Sequence, residues 1–156
     1  MSAIILIDTC VLLNIFNVPM YNDKYTDIFN EFNNLINHRN IFLLPMATIF
    51  ETGNHIANLT DGGHRRKWSH IFVNTIKQTH QGVAPWRAIE FPKLDDKDII
   101  NWLDEFPGMA MSGCGFSDLS IIKDWEKMCK LHPLSEVRIW SIDTHLSGYQ
   151  RLGKGV

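Results

Sequence analysis

The sequence predicts an α/β protein in which a mainly parallel β-sheet lies between two layers of helices. Three short runs, at 4–7, 41–44 and 137–142, are mostly apolar, which is typical of strands that are covered on both faces. Segments with apolar residues at helical spacing separate these runs along the chain. Because strands and helices alternate in this way, a parallel sheet with helices on both sides is favoured.

The first half of the chain gives the clearest elements. After the strand at 4–7, apolar residues recur at helical spacing over three turns from Tyr25 to Ile36. A short buried strand follows at 41–44, and Pro45 suits the first turn of the next helix. We expect that helix to run from about Met46 to about Leu59, with a packed face of Ile49, Phe50, Gly53, Ile56 and Ala57.

The second half is less regular. A helix carrying Trp68 should end near Gly82, and 86–91 fits either a short strand or an irregular connection. Asp95 or Asp96 is suited to cap another helix, and the Gly, Met and Pro residues of 107–115 predict a loop. Ser117 then fits the N-cap of a helix that continues to Met128, before the last strand.

Size and composition fit a single domain of 1–156. The chain has 156 residues, 45% hydrophobic and 21% charged, and its net charge of −2 argues against nonspecific attraction to nucleic acid over the whole surface. Its three cysteines lack short metal-ligand spacing, which favours reduced thiols. No segment has the pattern of a membrane span or a signal peptide, so we expect a cytoplasmic protein with no membrane partner.

Four acids are placed where such a sheet would gather them. Asp8 and Asp143 each follow a buried strand, and ligands bind beyond the carboxyl ends of parallel strands. Glu51 lies on the polar face of the helix after the second strand, and Asp118 lies in the first turn of the helix capped by Ser117. A carboxylate at a buried strand end is costly unless a cation neutralises it, so the pattern predicts a divalent-metal site.

The chemistry of this set points to hydrolysis. Carboxylate oxygens suit Mg²⁺ or Mn²⁺, and such ions activate water and stabilise the charge that develops in phosphodiester cleavage. Without metal the four carboxylates should repel one another, which raises and couples their proton affinities. Taken singly, each acid also fits an ordinary role: Asp8 as a cap for a helix from Val11, Asp118 at the helix dipole, Glu51 as a surface acid and Asp143 in a turn.

The segments that carry these acids resemble the PIN-domain family over almost the whole chain. They are IILIDTCVLLNIF, PMATIFETGN, GCGFSDLSIIKDW and VRIWSIDTHL. The resemblance implies a three-layer α/β/α fold and a Mg²⁺- or Mn²⁺-dependent ribonuclease, many bacterial members being toxins of toxin–antitoxin pairs. By position, Asp8, Glu51, Asp118 and Asp143 are similar to the family's first to fourth acids.

Neighbouring positions match the family in part. Thr9 resembles the hydroxyl residue that follows the first acid, and Ser141 resembles the Ser or Thr two residues before the last one. Ile142 stands where the family often has Asn, and Trp125 interrupts a stretch that usually has small residues.

Two further features of the sequence are candidate substrate contacts. Arg65 and Arg66 lie in a basic run, where they would hold phosphates while His64 or Trp68 stacks on a base. The run fits better as a solvated helix start with Trp68 in the core, because short basic runs are common on surfaces. His145, two residues after Asp143, would reach a substrate phosphate. No His-x₃-His or Cys-x₂-Cys spacing supports a zinc site.

The sequence therefore predicts a metal-dependent endoribonuclease acting on RNA, with an antitoxin protein and a second copy of the chain as further partners. An alternative is a catalytically silent PIN-like module that acts through a protein or RNA partner. A phosphatase of haloacid-dehalogenase type also begins with a strand that ends in Asp, but it needs an acid where this chain has Cys10.

Overall fold

Five strands form one sheet in a computed structural model that describes residues 2–88 and 96–154. The strand order is β3-β2-β1-β4-β5. The strands are β1 (Ile4–Ile7), β2 (Ile41–Leu44), β3 (Trp86–Ala88), β4 (Val137–Trp140) and β5 (Gln150–Arg151). The first four are parallel, and β5 pairs antiparallel with β4. The α/β fold with a mainly parallel sheet, predicted from the alternation of elements, is confirmed.

Six helices in the described ranges cover the sheet. They are α1 (Thr9–Ile15), α2 (Tyr25–Asn37), α3 (Met46–Ala57), α4 (Gly62–His80), α5 (Asp96–Met111) and α6 (Phe116–Leu131). Alternate residues of β1 enter two different cores: Ile5 and Ile7 pack with α1 and α2, whereas Ile4 and Leu6 pack with α6. This division is consistent with three layers, because successive side chains of a strand point to opposite faces.

The central position of β1 determines where the site forms. Ile4 is in register with Ile41 of β2 on one side and with Val137 of β4 on the other. All four residues of β1 are buried, as expected for a strand with a layer of helices on each face. Because the three strands are parallel and in register, the residues that follow β1 and β4 emerge at the same edge of the sheet.

The loop predicted for 107–115 is wrong for its first part. Helix α5 continues to Met111 with Pro107 inside it, and the turn that follows the helix contains Gly113, whose φ of +85° is left-handed. Met109 packs against the core on the α6 side, and the Phe106 ring contacts the Phe116 ring edge-on. These tertiary contacts offset the preference of proline for a helix end.

Three other sequence predictions differ from the structure. Helix α6 begins at Phe116 with Gly115 as N-cap, two residues before the Ser117 cap that we expected. Helix α1 begins at Thr9 rather than at Val11. On α3, Phe50 and Ala57 are exposed, whereas we expected them in the packed face. The buried residues of this helix are Thr48, Ile49, Thr52 and Ile56.

The ambiguous segment forms a strand where it is described. Trp86 begins β3 and is buried, and 89–91 lie outside the described residues. Asp95, one of the two predicted caps of α5, also lies outside them, and Asp96 is the first residue of the helix rather than its cap. No helix within 2–88 and 96–154 has the length and apolar character required to cross a membrane.

Candidate active site

Asp8 is a buried carboxylate that is held by three donors. It follows β1 and caps α1, accepting the Thr9 N–H on Oδ1 at 2.7 Å. Its Oδ2 accepts the Ser141 hydroxyl at 2.6 Å and the Cys10 thiol at 3.1 Å. Hydrogen bonds of this kind offset part of the cost of burying an acid and fix its orientation. The capping role that we considered for Asp8 is present together with these further contacts.

Glu51 is brought to Asp8 by the way α3 is attached to β1. The buried Thr48 hydroxyl donates to the Ile7 carbonyl at 2.8 Å, which ties the first turn of α3 to the last residue of β1. One turn later, Glu51 Oε2 accepts the Thr9 hydroxyl at 3.1 Å. Thr9 therefore contacts two of the four acids, through its backbone N–H and through its side chain.

Asp118 lies in the first turn of α6 and faces the same edge. Its Oδ2 accepts the Gly115 N–H at 3.2 Å. Burial raises the pKa of the Asp118 carboxyl, the Gly115 hydrogen bond lowers it, and the negative charges of Asp8, Glu51 and Asp143 raise it further. The repulsion among the acids that we expected from the sequence is therefore present at Asp118.

Asp143 follows β4 on an exposed turn, and Ser141 connects it to Asp8. The Asp143 N–H donates to Ser141 Oγ at 2.9 Å, and the same hydroxyl donates to Asp8. The Asp143 Oδ1 accepts the His145 N–H at 2.7 Å. Ser141 thus orients the backbone that presents one acid while it holds the side chain of another.

All four predicted acids line one pocket of about 380 Å³. Asp23, which the sequence did not single out, also lines it, together with Thr9, Cys10 and His55. Among the described residues that line this pocket, five are acidic, one is a histidine and none is lysine or arginine. A concave site with five carboxylates and no fixed cation of its own has the donor chemistry that suits Mg²⁺ or Mn²⁺.

The carboxylate groups of this pocket do not converge on a common position where they could hold one ion. Within 2–88 and 96–154, no three His, Cys, Asp or Glu side chains are arranged to hold one metal ion. Their oxygens instead accept hydrogen bonds from Thr9, Ser141, Gly115 and His145. Binding an ion directly would therefore require side-chain rotations, and of the four predicted acids only Asp143 is exposed.

Cys10 is next to Asp8, and its environment keeps it a thiol. Burial and the Asp8 charge raise the pKa of the Cys10 thiol to about 12. A thiol with that pKa carries almost no thiolate at neutral pH and is a poor nucleophile. Its sulfur also accepts the Ile142 N–H at 3.5 Å, so Cys10 is a packing and hydrogen-bonding residue of the pocket wall.

The remaining predicted contacts lie outside this pocket. His145 packs over Gly113, where a side chain at 113 would come 3.4 Å from its Nε2. Arg65 and Arg66 line a different pocket, between α3 and α4, and the Arg65 guanidinium donates to the Leu59 carbonyl at 2.6 Å. Trp68 is 8% exposed and donates to the Phe16 carbonyl, so it lies in the core, as the second of the two alternatives predicts, and does not stack on a base.

Sequence reasoning did not find two acids that the structure places at cavities. Asp23 precedes α2 and reaches the acidic pocket from a connection without periodicity. Asp124 lies on α6 and lines a neighbouring pocket. Its position seven residues after Ser117, on the same helical face, was the available signal.

Comparison with known proteins adds no relative: no family model, no curated protein and no solved structure matches this chain.

Proposed function

We propose that this protein is a Mg²⁺- or Mn²⁺-dependent endoribonuclease of PIN type that works in the cytoplasm. The observation that carries the proposal is the single pocket lined by Asp8, Glu51, Asp118 and Asp143 without a lysine or arginine. The raised pKa of Asp118 supports it, because that carboxyl experiences the charge of the other three and would be stabilised by a divalent cation.

The four acids would have different roles, which follow from the hydrogen bonds that each of them accepts. Asp8 and Asp143 would bind the ion directly, with Ser141 fixing the Asp8 carboxylate and the backbone of Asp143. Glu51 and Asp118 would complete the coordination or orient the attacking water, each through the oxygen that does not accept a hydrogen bond from Thr9 or Gly115. When bound, the ion would polarise the phosphate and lower the pKa of a water ligand.

RNA enters this proposal through the family resemblance and through the chemistry of the acids. The resemblance also implies an antitoxin protein and a homodimer as partners, and we include both in the proposal. Because the acidic pocket repels phosphate in the absence of metal, RNA cleavage should depend strictly on the divalent ion.

The test compares three proteins on one labelled single-stranded RNA, with Mn²⁺, with Mg²⁺ and with EDTA. We expect wild type to cleave only with the divalent ions, and Asp8→Asn to lose at least two orders of magnitude in rate. Asp27→Asn, an exposed acid on α2 that lies outside the pocket, is the matched control and should cleave as wild type does. Full activity of Asp8→Asn in protein with an unchanged circular dichroism spectrum would exclude the proposed role of Asp8.

A silent PIN-like binding module is the second candidate, and one observation favours it. No three described acids, histidines or cysteines are arranged to hold an ion in this structure. Expression in a bacterial host separates the two candidates: growth arrest that Asp8→Asn relieves supports the nuclease. A purified protein that cleaves no RNA in Mg²⁺, Mn²⁺, Co²⁺ or Zn²⁺ supports the module.

A further inference from the structure

A second pocket adjoins the acidic one and has a different character. It lies between α3, α5 and α6, has a volume of about 400 Å³ and shares Glu51 with the acidic pocket. Its lining includes the aromatic side chains of Trp102 and Phe116, and Phe116 is 38% exposed. Its size is in the range of pockets that bind small ligands or parts of larger ones.

Asp124 is one of two charged residues that line this pocket, the other being the shared Glu51. Asp124 is 9% exposed and lines the cavity one turn beyond Ser120, on the face of α6 that also presents Ser117. Within 2–88 and 96–154, no hydrogen bond or salt bridge to its carboxylate is found, and the nearby Lys127 contributes only a longer-range attraction. A carboxylate buried to this extent usually accepts hydrogen bonds from the protein. Because none is found for Asp124 in the described ranges, both of its oxygens are available to a ligand.

The charges of the lining limit the ligand class. Among the described residues around this pocket, Glu51 and Asp124 are charged and no lysine or arginine is present. A phosphate group is therefore repelled, whereas a neutral, flat group with two adjacent hydrogen-bond donors is complementary to the carboxylate and to the aromatic walls. Guanine has these properties: its N1–H and its 2-amino group are parallel donors on one edge, spaced for the two oxygens of a carboxylate.

We propose that the pocket between α3, α5 and α6 is a guanine subsite, in which Asp124 accepts the N1–H and 2-amino donors and the base lies against Trp102 and Phe116. This inference rests on the proposed function for its substrate class. Because the two pockets share Glu51, a guanine bound here would belong to a nucleotide close to the phosphate at the acidic pocket. The subsite would give the enzyme a preference for cleavage beside guanine.

The first test measures base binding without metal and without cleavage. The nucleosides guanosine, inosine and adenosine, which carry no phosphate, are titrated in EDTA against ¹⁵N-labelled wild type, with the Trp102 indole N–H and the Ser120 amide as reporters. Inosine lacks only the 2-amino group, so one charge-assisted hydrogen bond separates it from guanosine, and we expect about tenfold weaker binding. Asp124→Asn should reduce this ratio to about one, whereas Asp104→Asn, an exposed acid of α5 outside the pocket, should keep it.

Three results would overturn the proposal. They are equal affinity for guanosine and inosine, no guanosine binding at millimolar concentration, and shifts confined to residues of the acidic pocket. Binding of N-acetyl-arginine amide in place of the nucleoside would assign the pocket to a cationic side chain of a protein partner and would equally overturn it. Thermal unfolding of Asp124→Asn shows that the variant is folded, so that lost discrimination is not mistaken for lost structure.

The second test uses RNA and separates the two proposals. Single-stranded RNAs that differ only by guanine or inosine at one position are cleaved with Mn²⁺, and we expect wild type to prefer guanine about tenfold. Asp104→Asn should show the same preference and Asp124→Asn should lose it. RNA cleavage without any guanine preference would reject the guanine subsite and support the nuclease. Guanosine binding with no RNA cleavage would support the guanine subsite and reject the nuclease.

Discussion

The Ser141 hydroxyl lies 2.6 Å from Asp8 Oδ2 and accepts the backbone N–H of Asp143 at 2.9 Å. A single side chain after β4 therefore orients the acid that follows β1 and the turn that carries the acid after β4. The two strands are adjacent and parallel, so this short connection is available only at their common carboxyl edge.

Removing that hydroxyl should loosen both acids. We expect Ser141→Ala to lower the free energy of unfolding by about 1–2 kcal/mol, chiefly because the partly buried Asp8 carboxylate loses a donor. The exposed Asp143 N–H also loses its acceptor, but water can replace it. Urea denaturation measures the loss, and a calorimetric Mn²⁺ titration should show weaker binding. Ser147→Ala changes an exposed serine of the same segment and is the control; equal midpoints for the two variants would contradict the prediction.

Asp118 should destabilise the metal-free protein at neutral pH. Its folded pKa is raised above the value of 3.8, so its contribution to stability is fully present below that pH and is lost as the pH rises through the folded pKa. Asp118→Asn should therefore unfold at a higher temperature than wild type at pH 7.5 in EDTA, and at about the same temperature at pH 3.5. An Asp118→Asn variant that is less stable in EDTA at pH 7.5 would show that repulsion is not the dominant effect.

Divalent ions should reverse the order of the melting temperatures of wild type and Asp118→Asn. Mn²⁺ should raise the melting temperature of wild type at pH 7.5, because it neutralises the repulsion among the acids and stabilises only the folded state. The gain should be smaller for Asp118→Asn, and Ca²⁺-free EDTA buffer gives the baseline. An identical gain for both proteins would place the ion away from Asp118.

The Thr48 hydroxyl should contribute both stability and position. It is fully buried and donates to the Ile7 carbonyl, so Thr48→Val leaves that buried carbonyl without its side-chain donor and should cost about 1–3 kcal/mol. Because the same contact holds α3 against β1, the Glu51 side chain should shift relative to Thr9. Thr26→Val, an exposed threonine on α2, is the comparison in urea denaturation and should change the midpoint little.

Asp124 should cost the protein stability above pH 6. Burial raises the pKa of its carboxyl from 3.8 to about 6, and Lys127 on the same helix partly opposes this shift; Glu51 is the other charged group at the pocket. The contribution of Asp124 to stability is therefore complete below pH 3.8 and is lost as the pH rises through about 6. Asp124→Asn should raise the free energy of unfolding by about 3 kcal/mol at pH 7.5 and by less than about 1 kcal/mol at pH 4.

Urea denaturation at the two pH values measures this difference, with Asp104→Asn as the control on an exposed site of α5. The same gain in stability at pH 4 and pH 7.5 would mean that the ionised carboxylate is not the cause. If Asp124→Asn is more stable than wild type and also loses discrimination for guanine, then Asp124 lowers the stability of the protein while it supports base binding.

Several features of the fold follow from local patterns in the sequence. The apolar runs before Asp8 and Asp143 predict buried strands, and the apolar spacing from Tyr25 to Ile36 predicts a helix, because each pattern depends on residues within a few positions. The order of strands and helices then restricts the sheet to a parallel one, and it brings the ends of β1 and β4 to one edge.

Other features depend on contacts that are distant in sequence. Pro107 indicates a loop locally, yet α5 continues to Met111 because Met109 packs against the core formed by β1, β4 and α6. The apolar side chain of Phe50 predicts burial, yet it is exposed because other residues of α3 form the packed face of that helix.

The sequence by itself predicted the parallel α/β class and the four acids that line one pocket. The apolar runs and the common direction of parallel strands indicate Asp8 and Asp143, and the positions of Glu51 and Asp118 on their helices indicate the other two. Only the tertiary structure decided that Ser141 and Thr9 hold these acids, that Asp23 joins them and that Asp124 lies in a separate pocket. The reason is physical: the depth of a side chain and its donors depend on which elements meet, and that packing is not encoded within any one segment.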